Sequence, residues 1–154
     1  MIGRGKLVED LKVAQLVEPA DRATDATTLY NGAAATAASG TGLDTRDYDE
    51  VVFVINAGTF TGDAQETCAV YHSATDDSTA ATLVTGASFT AITTSNDKKL
   101  HIGSVICKND HRYMWLRSVS SMSTGTSRFG AMAILGKSTG TPVTNSEVFD
   151  VDNG

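Results

Sequence analysis

Apolar and polar residues alternate along most of the chain in short runs, and clusters of Gly, Ser, Asn and Asp interrupt them. A period of two sends successive side chains to opposite faces of an extended strand, so the pattern predicts β-structure rather than helix. The clearest strand is predicted over 50–57, Glu-Val-Val-Phe-Val-Ile-Asn-Ala, with Gly58 ending it. Its apolar run is continuous, which predicts cover on both faces, one of them from a partner chain. A second strand is predicted over 66–73, setting Thr67, Ala69 and Tyr71 against Cys68, Val70 and His72. The polar run Thr75-Asp76-Asp77-Ser78 follows it as a loop.

Further along, a strand is predicted at 88–92 and a turn through Ser95-Asn96-Asp97. A strand over 100–107 places Leu100, Ile102, Ser104 and Ile106 on one face. Lys108-Asn109-Asp110 reads as a turn into an aromatic strand over 112–119. The Gly-containing loop 121–127 leads to a strand over 128–135, where Phe129, Ala131, Ala133 and Leu135 alternate with Gly130, Met132 and Ile134. Weaker extended segments are predicted at 12–17, 26–30 and 33–43. Short strands between turn signals predict an all-β fold, a β-sandwich of jelly-roll type. It is read as one domain: an N-terminal arm over 1–10, the sandwich over 11–136 and a C-terminal tail over 137–154. The arms are expected to order on a neighbouring subunit, with Arg4 and Lys6 in the first, and Val148, Phe149 and Val151 as anchors in the second.

Composition narrows the function classes. A chain of 154 residues buries about 70% of its unfolded surface and needs no metal or disulfide to fold. The net charge of −6 and the scattered Lys and Arg argue against nucleic acid, which is bound through clustered cations. No apolar stretch is long enough to span a membrane, and Met1-Ile2-Gly3-Arg4-Gly5-Lys6 lacks the apolar run of a signal peptide. Cys68 and Cys107 lie far apart and read as small buried hydrophobes rather than a disulfide.

No local motif supplies chemistry. There is no G-x-S-x-G elbow, and none of His72, His101 and His111 sits in a Ser or Cys motif. Cys107 and His111 are separated by a predicted turn, which makes their spacing incidental rather than a catalytic dyad. The two C-x₃-H pairs, Cys68/His72 and Cys107/His111, are unusual for zinc, and the acidic clusters at 44–49 and 76–77 lack calcium-loop spacing. The chain is therefore read as no enzyme, with no catalytic residue, no cofactor and no metal.

The order of segments carries more. Gly42-Leu43-Asp44-Thr45 runs into Tyr48-Asp49-Glu50-Val51-Val52-Phe53-Val54-Ile55-Asn56-Ala57-Gly58, and Tyr71-His72-Ser73-Ala74-Thr75-Asp76-Asp77-Ser78 follows. Arg112-Tyr113-Met114-Trp115-Leu116-Arg117 and Arg128-Phe129-Gly130-Ala131-Met132-Ala133-Ile134-Leu135-Gly136 close the series. Over about residues 40–137 this resembles small β-sandwich structural proteins of tailed bacteriophages, most of all capsid decoration (cement) proteins. The resemblance implies a virion protein, assembled in the host cytoplasm, that binds the outside of a phage capsid and stabilises it. Its partners would be the major capsid protein and itself, as a dimer or trimer, with no nucleic acid and no membrane. A tail, neck or head-fibre component is the alternative, and a carbohydrate- or receptor-binding sandwich the second alternative. Asp44, Arg46 and Asp49 are the expected contact residues beside the two arms, with Arg112, Tyr113 and Arg117 as secondary candidates.

Overall fold

A computed structural model of the chain describes residues 11–22, 26–30, 41–108 and 110–137. Among the described residues nine strands follow in order: β1 (Leu11–Arg22), β2 (Ala26–Tyr30), β3 (Leu43–Asp44), β4 (Glu50–Phe60), β5 (Gln65–Ser73), β6 (Thr82–Ser88), β7 (Leu100–Ile106), β8 (Tyr113–Ser121) and β9 (Ser127–Gly136). They form two antiparallel sheets, β1-β9-β4-β7 and β2-β8-β5-β6, with the short β3 also pairing with β8. The sheets face each other as a β-sandwich, the fold class expected from the alternation. Among the described residues the helical content is one 3-10 turn, Ser78–Ala80, capped by the Asp77 carboxylate, which accepts from the Thr79 amide at 2.9 Å. No helix among them is long and apolar enough to cross a membrane.

The core is drawn from one face of each sheet. Val51, Phe53 and Ile55 of β4 and Phe129, Ala133 and Leu135 of β9 are shielded on one side, and Cys68, Val70, Met114 and Leu116 on the other. The continuous apolar run of β4 is therefore split: its odd-numbered residues are buried, while Val52 and Val54 point out and are half-buried. Gly58 does not end this strand, which continues to the buried Phe60 through a bulge after Ala57.

Two other expectations are corrected. The strand in the 80s is β6 at Thr82–Ser88; beyond it, Ile92 makes only an isolated bridge to Glu66. In β7 the face carrying Leu100, Ile102, Ser104 and Ile106 is the outward one, and His101, Gly103 and Val105 face the core. The weak segment at 12–17 is the first half of a longer strand, β1, and that at 26–30 is β2. The expected segment at 33–43 falls mostly outside the described residues, which contain only its end in β3.

Charge also enters the core. Glu66 of β5 shares the inward phase of Cys68 and Val70 and is fully buried. Its carboxylate accepts hydrogen bonds from Ser118 Oγ at 2.6 Å, from Ser127 Oγ at 2.8 Å and from Ser120 Oγ. Arg22 at the end of β1 donates to Ser120 Oγ at 3.1 Å, lies 3.8 Å from the carboxylate and covers the Phe129 ring at 4.7 Å. A buried charge is tolerated when it is paired and its lone pairs are satisfied, and hydroxyls from two strands plus one guanidinium do this here.

Candidate functional site

The two ends of the sandwich differ. At one end the 61–64 turn is tied to the 122–126 loop by Asp63, which accepts from the amides of Ser123 (3.0 Å) and Thr124 (2.6 Å) and from the Ser123 hydroxyl. Gly62 and Gly125, both at positive φ, let the two loops touch; a Cβ on Gly125 would come within 2.0 Å of the Thr61 carbonyl oxygen. That end is closed by its own hydrogen bonds.

Among the described residues the opposite end is open. The β3–β4 turn supplies Thr45, Arg46, Asp47, Tyr48 and Asp49, and the β7–β8 connection supplies Cys107, Lys108 and Arg112. Together they line a groove of about 490 Å³. Asp47 takes a left-handed conformation (φ 74°), which an aspartate tolerates better than most residues. Backbone bonds fix the turn on three sides: Thr45 N donates to Arg112 O (2.9 Å), Asp49 N to Gly136 O (3.0 Å) and Cys107 N to Asp49 O (2.8 Å).

Asp44 organises the charges. Arg112 grips it with a planar fork, Nε to Oδ1 at 2.7 Å and a terminal nitrogen to Oδ2 at 2.5 Å. Arg46 adds its amide at 3.0 Å and its guanidinium at 3.3 Å. The Arg112 hydrogen bonds, chiefly, hold the Asp44 carboxyl well below the usual carboxylate range and push the Arg112 guanidinium up. The guanidinium also lies 4.8 Å from the centre of the Tyr113 ring.

The structure therefore brings Asp44, Arg46, Asp49, Arg112 and Tyr113 to one end of the molecule. Arg4, Lys6, Val148, Phe149 and Val151 lie outside the described residues. Their segments nevertheless join the sandwich at this same end, through Leu11, whose register partner is Gly136, and through Lys137, whose ammonium is 5.9 Å from the Tyr48 ring. Arg117 sits elsewhere, on the outer face of β8, donating to the Tyr71 hydroxyl at 2.7 Å.

The groove is lined mostly by polar and charged side chains. Burial, above all, pushes the Cys107 thiol up to about 11, the wrong direction for a nucleophile. His111 stacks on His72, ring centres 3.7 Å apart and planes 13° from parallel, with Asp110 2.9 Å from its Nδ1. Burial and then His111 lower the His72 pKa. No group of three or more metal-ligating side chains occurs among the described residues. Trp115 points away from the core on β8, yet is 1% exposed because the chain at Gly42 lies against it; a Cβ there would come within 2.6 Å of the indole. A sugar-stacking platform built on this indole is thus absent from the surface.

The sequence reading missed Glu66 and its serines. The available signal was their phase: Glu66 with Cys68 and Val70, and Ser118 and Ser120 with Met114 and Leu116. Compared with known proteins, the chain matches no family model and no curated relative.

Proposed function

We propose that this protein is a virion structural subunit that binds the outside of a phage capsid and stabilises it, using the open end of the sandwich as its contact pole. The observation that carries the reading is the convergence at that pole of a mixed-charge groove and the attachment points of both terminal segments. Charges of both signs held on a rigid turn give specificity and register with a partner more than raw affinity. A protein that binds only the assembled shell stabilises it by mass action. The major capsid protein is the partner this reading names.

The strand order supports the jelly-roll form of the proposal. Setting aside the two-residue β3, the eight longer strands read 1-8-3-6 in one sheet and 2-7-4-5 in the other, the alternation of a jelly roll.

The test is to mix purified protein with capsids stripped of it, sediment them, and measure stoichiometry and capsid melting. Saturable binding at a fixed ratio to the major capsid protein, with a raised melting temperature, is expected. Arg46→Glu combined with Lys108→Glu should weaken binding at least about tenfold without unfolding the protein. If the protein instead stays in the supernatant and virions carry a few copies in the tail or neck fraction, the capsid reading fails in favour of a tail or neck component.

A further inference from the structure

We infer that the outer face of the β1-β9-β4-β7 sheet is a homodimer interface, on which a second copy of the chain packs its own identical face. Register places Val13, Ile134 and Val52 side by side across three strands in one row, and Met132, Val54 and Ile102 in the next. All six point away from the core and are half-buried or exposed. Five large hydrophobic side chains are exposed among the described residues, and four belong to this sheet: Leu11 (42%), Val13 (64%), Leu100 (43%) and Met132 (41%). An antiparallel sheet that meets water on one face normally alternates apolar-in with polar-out. Here the central rows hold only Gln15 and Ser104 as polar members and no charge; Glu50 stands at the border.

The occupant follows from charge, area and edge. Two copies that each carry −6 meet with least repulsion through an uncharged area, which the two central rows provide between Glu50 at one border and the Arg128–Asp21 ion pair beyond the other. Four strands at about 4.8 Å spacing and seven residues at about 3.4 Å give a patch on the order of 500 Å². Two such patches bury on the order of 1,000 Å², enough for a specific interface at the small end of the range. Packing sheet on sheet through side chains repeats on the outside what the inner face already does. Growth through the backbone is discouraged, since edge strand β1 carries Pro19 and two register shifts against β9. A mainly apolar patch can face its own copy, as a two-fold interface requires.

The inference rests on outward side chains of one sheet and not on the capsid reading, so either can fail alone. The test is sedimentation velocity of the full chain from low micromolar to about 200 µM, the range in which a small interface assembles. A species of twice the 16.1 kDa chain mass is expected at the upper end. Met132→Lys and, separately, Val13→Lys sit at exposed positions that keep the fold; each should raise the dimer dissociation constant at least about 30-fold with unchanged circular dichroism. A monomer throughout the range, as when the chain's own terminal segments cover the face, overturns the inference. So does a dimer that both lysine variants leave intact.

Discussion

Ser118 donates a 2.6 Å hydrogen bond to the carboxylate of Glu66 at a point where neither residue is exposed to solvent. Two further serines and Arg22 complete the shell around that carboxylate. The arrangement ties β5, β8 and β9 and the end of β1 at one point of the core. Replacing Glu66 by Ala strands several buried donors at once and should cost about 3–5 kcal/mol. Glu66→Gln keeps an acceptor but loses the charge, and about 1–3 kcal/mol is expected. Urea unfolding at neutral pH measures both; a loss below about 1 kcal/mol for the alanine variant would show that the cluster is not a stabilising tie.

The fork between Asp44 and Arg112 predicts an acid response. The folded-state pKa of Asp44 lies below the ordinary 3.8. Stability from this group is thus fully present above about pH 4 and is lost as pH falls through the folded value. Asp63 and Asp77 are depressed by their own hydrogen bonds and add slope in the same window. Asp44→Asn should therefore flatten, without abolishing, the fall of melting temperature between about pH 4 and pH 2. Parallel curves for variant and wild type would contradict the assignment.

Gly42 and Trp115 give an optical test. Any side chain at 42 meets the indole, so Gly42→Ala should overpack this contact and cost about 1–3 kcal/mol. Because Trp115 is the chain's one tryptophan, its fluorescence reports on the site directly. A red shift of native emission in the variant is the expected signature, and an unmoved maximum would mean the indole is held by other contacts.

The two thiols should differ in accessibility and agree in sluggishness. Burial pushes Cys68 up to about 12 and Cys107 up to about 11. At pH 7.5 only a minute fraction of either is thiolate. A disulfide reagent should modify half-buried Cys107 slowly and leave Cys68 untouched until denaturant is added. Rapid native labelling of two thiols would show that the sandwich opens far more readily than its packing implies.

Much of the fold could be read from alternation, because a half-buried strand writes its orientation into every second residue. β2, β5, β8 and β9 fall where the pattern puts them, within a residue or two. β6 escaped because its two buried residues, Val84 and Ala87, are three apart; a register shift against β5 breaks the period that would announce it. In β7 the pattern separates two faces but does not say which is inside. Small Gly103 and hydrogen-bonded His101 fill the core side while isoleucines face out. The Asp44–Arg112 fork joins residues 68 positions apart, and local sequence shows two charged turns, not their meeting. Glu66 was hidden by the expectation that carboxylates stay at the surface, since its compensating serines lie on two other strands.

The pairing of β1 with β9 has a consequence for how the chain becomes this structure. Among the described strands β1 pairs only with β9, so this long strand waits for β9 before its ladder can form. During synthesis the stretch with Leu16 and Val17, buried in the finished molecule, lacks its β9 ladder until the strand ending at Gly136 has cleared the ribosome. Loops of this length must be closed before their contacts repay the lost entropy, which places folding in the slow, millisecond-to-second class of two-state domains. A polypeptide stopped at residue 126 would present an unpaired edge and an uncovered half-core to chaperones and to its own siblings.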